Sequence, residues 1–191
     1  LILTEKGLLY RSDVPSDDYY FESVSADSFY YREKTGFKNE LYVIGGGHCA
    51  LAFCELMSKM DFRIHLFEER AELNTLIKNK FIHKKTIVEN YSSLGKMIPS
   101  GQNVYVVIMT VGYRTDDIAL RSIIKNNYRY VGVLGSRSKM SQLIDEWKKD
   151  GISEEKLNTI HTPVGVSINS RTPEEIAVSI AAEIIGVKNK M

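Results

Sequence analysis

A glycine-rich turn between an apolar run and a helical run is the feature that most constrains the fold of this chain. The apolar run covers residues 41–44, and Gly45, Gly46 and Gly47 follow it directly. Together with Ala50 they form a G-x-G-x-x-A pattern, which is typical of a strand, a tight turn and a helix that hold the phosphates of a dinucleotide. In that pattern Gly45 permits the turn, Gly47 lets the backbone approach a pyrophosphate, and Ala50 allows the helix to pack closely on the strand.

Short apolar runs alternate with helical stretches through the rest of the chain. The apolar runs lack internal proline, as expected for strands buried on both faces of a parallel sheet. They cover residues 41–44, 63–67, 86–88, 104–109 and 130–134. Helical spacing is found at residues 48–60, 72–79, 116–126 and 139–149. This alternation predicts βαβ units with right-handed crossovers, and therefore an α/β fold with a doubly wound, Rossmann-like parallel sheet.

A carboxylate stands close to the position where the dinucleotide fingerprint requires one. Glu68 follows the run 63–67 and lies 23 residues after Gly45, near the spacing of about 20 residues expected for the acidic residue that binds a ribose. We assign this role to Glu68 and its neighbour Glu69. A carboxylate here would repel a 2′-phosphate and so favours NAD over NADP, although the adjacent Arg70 leaves room for the latter. The alternative is that this segment is a solvated loop.

Further candidate binding residues follow the turn and two later strands. His48 stands at a predicted helix N-terminus, where it could donate a hydrogen bond to a phosphate, act as an acid or base, or only order the turn. Two loops combine glycine, hydroxyl groups and arginine before a helix, which suits a phosphate or a carboxylate. The candidates are Thr110 and Gly112 in the first loop and Gly135, Ser136 and Arg137 in the second. Thr115 and Ser138 could serve as helix caps there.

The C-terminal segment predicts one further helix. Thr172 can cap it, Pro173 suits its first position, and Glu175 stands where a capping box needs a carboxylate. An apolar stripe at helical spacing follows, so we expect this helix to pack on the sheet.

The first 40 residues differ from the rest in composition. They carry a net charge of −3 and eight of the chain's 18 tyrosine and phenylalanine residues, whereas the remainder carries +4. Apolar and aromatic runs predict β segments at residues 1–3, 8–11, 19–23 and 28–32, with a turn signal at residues 14–18. We therefore divide the chain into a β-rich arm, or remnant of an N-terminal domain, at residues 1–40 and a nucleotide-binding domain at residues 41–191. Such an arm could join two copies into a homodimer.

Composition excludes several classes of function. The 25 basic and 24 acidic side chains give a net charge of +1, which argues against a nucleic-acid binder or a polybasic membrane binder. No apolar stretch approaches the roughly 18 residues of a membrane span. Cys49 and Cys54 cannot form a disulfide framework and lack the spacing of a zinc site, so we expect no metal and a cytoplasmic location.

Six stretches of the sequence form an ordered set of motifs. They are residues 45–48, 68–70, 110–112 with Asp116, 135–139, 161–165 and 171–177. This set resembles the C-terminal Rossmann domain of the XdhC/CoxI family, which comprises accessory proteins of xanthine dehydrogenase and related molybdenum hydroxylases. The chain departs from the family at Val111, where histidine is usual, at Glu68, where aspartate is more common, and in the loop 165–170.

The resemblance implies a factor that binds the molybdenum cofactor (molybdopterin), assists its sulfuration and delivers it to a molybdenum hydroxylase of the xanthine dehydrogenase type. A cysteine desulfurase is an implied second partner. The alternative from the residues is an NAD(P)-dependent oxidoreductase, for which His48, Tyr113 and His161 are the candidate proton donors. A third interpretation is a nucleotide-sensing scaffold in which the β-rich arm makes a dimer. Because a glycine-rich turn and an acidic strand end also occur in methyltransferases that use S-adenosylmethionine, that class is a further, less favoured interpretation.

Overall fold

The computed structural model describes residues 1–11, 19–25 and 27–190, without the side chain of Arg137. The turn predicted at residues 14–18 lies outside these residues. Contacts between Cα atoms divide the chain into two compact units, Leu1–Phe37 and Lys38–Met191.

The first unit is an antiparallel sheet of four strands. These are β1 (Ile2–Thr4), β2 (Gly7–Leu9), β3 (Tyr19–Ser25) and β4 (Ser28–Glu33), in the spatial order β2-β1-β4-β3. Each strand lies within two residues of its predicted β segment. This unit leaves large hydrophobic side chains in solvent, including Tyr10, Tyr19 and Val24, which are more than 70% exposed.

The second unit is built on a parallel sheet of six strands. The strands are β5 (Asn39–Ile44), β6 (Phe62–Glu68), β7 (Lys84–Ile87), β8 (Gly101–Ile108), β9 (Tyr128–Val133) and β10 (Ile160–His161). Their order, β10-β9-β8-β5-β6-β7, places the first strand of the unit in the middle and is the order of a doubly wound Rossmann sheet. The predicted fold class is confirmed, and β10 is an additional strand that the sequence did not indicate.

Helices cover both faces of this sheet. They are α1 (His48–Met57), α2 (Asn74–Lys78), α3 (Leu94–Met97), α4 (Tyr113–Ile123), α5 (Arg137–Lys149), α6 (Glu154–Leu157) and α7 (Pro173–Lys188), with a 3-10 turn at Tyr91–Ser93. The helices α1 and α7 pack together over one core, in which Phe53 and Ile180 are fully buried. The helices α4 and α5 cover the second core, which contains Leu120 and Trp147.

The helix starts agree only in part with the sequence predictions. The capping box of α7 is confirmed, because Thr172 Oγ1 accepts from the Glu175 N–H and Glu175 Oε2 accepts from the Thr172 N–H at 3.2 Å. The cap predicted at Ser138 is wrong. The helix α5 begins at Arg137, and its cap is Ser136, whose hydroxyl accepts from the Lys139 N–H. A hydroxyl at the residue before the first helical turn can reach that donor, whereas Ser138 already lies within the turn.

The part of the chain that the structure describes contains no helix with the length and apolar content that a bilayer crossing requires. Among the same described residues, no group of three or more histidine, cysteine, aspartate or glutamate side chains could hold a metal ion.

Candidate functional site

The candidate site lies where the order of the strands reverses. β5 pairs with β6 on one side and with β8 on the other, so the connections that follow β5 and β8 lead away in opposite directions. In open α/β sheets a crevice forms outside the carboxyl ends of two such strands, and ligands bind there. The glycine turn follows β5, and residues 109–112 follow β8. These two loops form the centre of the candidate site.

The outer glycines of the turn have different surroundings. Gly45 has a φ of +104°, and a Cβ atom built on it would overlap the carbonyl oxygen of Met109 and lie 2.9 Å from the Cα atom of Thr110. The turn therefore packs too closely on the loop after β8 to admit a side chain. Gly47 is the N-cap residue of α1, and a Cβ atom built there would meet no described atom within 4 Å. The space above Gly47 is open to a ligand.

The peptide of Gly46 is fixed by two buried side chains. Its N–H donates to Glu68 Oε2 at 2.7 Å, and its carbonyl oxygen accepts from Thr75 Oγ1 at 2.5 Å. Glu68 ends β6 and Thr75 belongs to α2, so both elements that follow α1 hold the turn. Hydrogen bonds in such dry surroundings are strong, and they keep the turn in one conformation before a ligand binds.

The carboxylate of Glu68 is engaged on both oxygens. It is 1% exposed and forms an ion pair with Arg70, whose Nε lies 2.8 Å from Oε1 and whose Nη2 lies 2.9 Å from Oε2. Burial by itself would raise the pKa of Glu68, but hydrogen bonds from Arg70 and Gly46 outweigh it and hold the pKa below its ordinary value. Ribose binding by Glu68 and the half-buried Glu69 stays a prediction, and for Glu68 it requires Arg70 to release the carboxylate.

A cleft of about 670 Å³ opens beside the turn, a volume typical of small-molecule sites. We call it the first cleft. Gly47 and the exposed His48 line it from the turn, Thr110 lines it from the loop after β8, and Arg70 and Lys78 line it from the segment between β6 and the end of α2. Glu72 contributes a carboxylate to the same wall.

The loop after β8 is held by a buried aspartate. Asp116 is 2% exposed, and its Oδ1 accepts from the Thr110 N–H at 3.1 Å and from the Thr110 hydroxyl at 2.6 Å. Burial raises the pKa of Asp116 even though these hydrogen bonds favour its charged form. Gly112 is the N-cap residue of α4. The cap predicted at Thr115 is wrong, since Thr115 lies in the first turn and donates to the Gly112 carbonyl oxygen at 2.8 Å.

A second cleft, of about 500 Å³, lies between the loop after β9 and residues 163–170. Gly135 and Ser136 line it, together with Gly165 and Ser179. The Ser179 hydroxyl donates to the Val166 carbonyl oxygen at 2.6 Å, so α7 supports the loop that forms one wall. This second cleft has no lysine or arginine among its described lining residues.

A partly buried carboxylate network supports the same loop. Glu183 in α7 accepts from the Tyr130 hydroxyl at 2.5 Å and from the Gly165 N–H at 2.9 Å, and its Oε1 atom lies 3.2 Å from Nδ1 of His161. The His161 ring also packs on the Tyr130 ring, with 4.5 Å between the ring centres. Burial opposes the charge of Glu183, but its hydrogen bonds lower its pKa overall.

The structure thus distributes the predicted site residues between two clefts. Gly47, His48 and Thr110 line the first cleft, and Gly135 and Ser136 line the second. Gly45, Gly46 and Glu68 form the support behind the first cleft, and the side chain of Arg137 is not described. Sequence reasoning missed Thr75, Lys78 and Glu183. The helical stretch predicted at residues 72–79 was the available signal for the first two, because it directly follows the strand that ends in Glu68.

Comparison with known proteins agrees with this architecture. Residues 41–184 match the family of the XdhC Rossmann domain. The sequence is 30% identical over 156 residues to "Uncharacterized protein YqeB" of Escherichia coli (strain K12), covering 81% of this chain and 28% of that protein. It is 31% identical over 85 residues to a probable xanthine dehydrogenase subunit of Bacillus subtilis (strain 168), covering 44% of this chain and 24% of that protein.

A crystal structure of a xanthine dehydrogenase from Bacillus halodurans is similar to this chain, with a TM-score of 0.69 over 91% of this chain and 60% of the other. The sequence identity of 18% means that this likeness shows the fold alone. The chain spans less than a third of the length of either of the two curated relatives.

Proposed function

The chain belongs to the XdhC family through a Rossmann domain at residues 41–184, and from this premise we propose that it is an accessory factor in the maturation of a molybdenum hydroxylase of the xanthine dehydrogenase type. In this role it binds the molybdenum cofactor or a nucleotide in the first cleft. The accessory factor then delivers the cofactor to the hydroxylase. Cysteine desulfurase binding and homodimer formation belong to the same proposal and stay predictions.

The open space above Gly47 is the observation that carries this proposal. The first cleft offers N–H groups at the start of α1, the side chains of Arg70 and Lys78 and the Thr110 hydroxyl within about 670 Å³. These are donors that suit the phosphate of molybdopterin or of a nucleotide. When bound, molybdopterin supplies the dithiolene sulfurs that hold molybdenum. The chain's own residues bind its phosphate and orient it.

The positions of two of the three candidate proton donors, Tyr113 and His161, favour binding over turnover. His48 lines the first cleft, whereas His161 is paired with Glu183. A hydrogen bond to Glu146, with burial as a second cause, raises the pKa of Tyr113 to about 12. These three side chains belong to different surroundings, and a hydride-transferring oxidoreductase needs its proton donor beside the bound nicotinamide.

Thermal unfolding with added ligand tests the proposal. Molybdopterin, NAD⁺ or NADP⁺ at about 100 times its dissociation constant should stabilise the protein by about 2.7 kcal/mol and raise its melting temperature by roughly 5–10 °C. If none of the three raises the melting temperature, the proposed binding function is wrong. Steady oxidation or reduction of nicotinamide with small substrates would favour the oxidoreductase instead.

The variant Gly47→Val is expected to separate binding from folding. A valine side chain there would extend into open space, where the protein itself offers no clash within 4 Å of its Cβ atom. Its own melting temperature should therefore stay close to that of the wild type, while the shift caused by the ligand is lost. An unchanged ligand-induced shift would mean that the ligand does not approach this turn.

A further inference from the structure

The Glu68–Arg70 pair in the first cleft gives information about the kind of ligand that this cleft selects. In Rossmann proteins that bind NAD, the carboxylate after the second strand accepts hydrogen bonds from the ribose hydroxyls. That role requires a carboxylate with a free lone pair facing the cleft. Glu68 stands at the right position in the fold, at the end of β6, and the hydrogen bonds that it already makes decide whether it can play the role.

The acceptor capacity of Glu68 is exhausted by the protein itself. Its two oxygens accept from the N–H groups of Gly46, Glu69 and Arg70 at 2.7 to 3.1 Å. They also accept from Arg70 Nε at 2.8 Å and from Nη2 at 2.9 Å. A carboxylate offers about four lone-pair sites, so a ribose hydroxyl that donates to it would have to displace one of these donors. With 1% of the side chain exposed, the carboxylate also has almost no surface to offer.

Arg70, in contrast to Glu68, has part of its side chain accessible to a ligand. It is 45% exposed and lines the first cleft, although its Nε and Nη2 atoms are held by Glu68. These two bonds use one edge of the guanidinium plane and fix its orientation. Among the residues that the structure describes, none forms a hydrogen bond with the other edge, made of Nη1 and the second hydrogen of Nη2, so this edge remains for a ligand. A planar donor pair fixed in this way matches two oxygens of one phosphate group.

The remaining charges of the cleft fit an anionic group beside Arg70. Lys78 of α2 lines the same wall, and Thr110 contributes a hydroxyl from the other side. Glu72 is the carboxylate that opposes them. Since a phosphate monoester carries close to two negative charges at neutral pH, it gains more from Arg70 and Lys78 than an uncharged ribose diol would.

We propose that the first cleft selects ligands that carry a terminal phosphate monoester, with Arg70 as the residue that binds this phosphate and Glu68 as the positioning residue that holds Arg70. This inference rests on the proposed function and specifies its ligand. Molybdopterin and NADP⁺ both carry such a phosphate, whereas NAD⁺ lacks it. The preference for NAD that the sequence suggested is therefore replaced by a preference for the phosphorylated ligand.

Isothermal titration calorimetry with NADP⁺ and NAD⁺ tests the inference, because these two probes differ only in the 2′-phosphate. We expect the wild type to bind NADP⁺ at least about tenfold more tightly. Arg70→Gln should reduce that preference to within about threefold, because NADP⁺ loses more affinity than NAD⁺ does. Arg70→Lys, which keeps the charge without the planar donor pair, should retain part of the preference. The melting temperature of each variant shows whether it is folded.

Two further variants separate the roles of the neighbouring charges. Glu68→Gln should weaken NADP⁺ more than NAD⁺, whereas loss of a carboxylate that binds ribose would weaken NAD⁺ more. Lys80→Gln removes a charge from an exposed lysine that is not among the described residues lining this cleft, and it should change neither affinity. Equal affinities for NADP⁺ and NAD⁺, or tighter binding of NAD⁺, would overturn the inference and leave the proposed binding function intact.

A competition experiment with molybdopterin identifies the source of the phosphate. If molybdopterin displaces NADP⁺ and Arg70→Gln weakens both, the inference holds and the pterin phosphate occupies this position. If only NADP⁺ binds with a dependence on Arg70, the inference holds for a nucleotide phosphate. Binding of molybdopterin that does not depend on Arg70, without any preference between the nucleotides, overturns the inference. Failure of all three probes to bind overturns the proposed function itself.

Discussion

Gly45→Ala is expected to lower the free energy of unfolding by about 3 kcal/mol, because alanine at this position meets two separate penalties. Its φ of +104° lies in a region that residues with a Cβ atom rarely adopt, and the added atom would overlap the Met109 carbonyl oxygen and lie 2.8 Å from its carbon. The contact is with backbone of the adjacent loop, so no side-chain rotation relieves it. The midpoint of urea unfolding measures the loss.

Gly47→Ala is the matched control in the same turn. Gly47 has a φ of −70°, and an added Cβ atom would meet no described atom within 4 Å. The loss should therefore stay below about 1 kcal/mol, the cost of exchanging one N-cap residue for a poorer one. If the two variants lost the same stability, the close approach of Gly45 to the loop after β8 would be disproved.

The contrast between these glycines shows what the sequence could predict. The G-x-G-x-x-A spacing placed the strand, turn and helix correctly, since it reflects local backbone requirements that a sequence displays directly. The fold class followed from the alternation of strands and helices, and the capping box of α7 followed from Thr172 and Glu175. The strand β10 was missed because Ile160 and His161 are too few residues to show a period.

The side-chain arrangement of the candidate site could not be predicted in the same way. The sequence places Glu68 at the carboxyl end of a strand. Whether its oxygens face a ligand or the protein depends on where Gly46 and Arg70 lie in the folded structure. Likewise, the rule that ligands bind at strand ends selects several loops at once. It does not assign Thr110 to the first cleft and Ser136 to the second. The network of Glu183 with Tyr130 joins residues 53 positions apart, which no local pattern indicates.

Glu183→Ala is expected to destabilise the second unit by about 3 kcal/mol, because three groups of the protein share this carboxylate as their acceptor. The Tyr130 hydroxyl, on a side chain that is 1% exposed, would be left buried without its acceptor. The Gly165 N–H would lose its hydrogen bond of 2.9 Å, and His161 would lose its contact of 3.2 Å with the carboxylate. Glu55→Ala, at an exposed position of α1, the helix that packs on α7, is the matched control and should cost less than about 0.5 kcal/mol.

The carboxylate of Glu183 should also determine part of the loss of unfolding free energy at acid pH. Because hydrogen bonds lower the pKa of Glu183 in the folded protein, its contribution is complete above the unfolded carboxylate pKa of about 4.3 and is lost as the pH falls through the lower folded value. Glu183→Gln keeps the shape but cannot titrate, so between about pH 5 and pH 3 it should lose less stability than the wild type does. Unfolding by urea at several pH values measures this difference, with Glu55→Gln as the control. If the stability of Glu183→Gln fell with pH as steeply as that of the control, the charge of Glu183 would not stabilise the loop of Gly165.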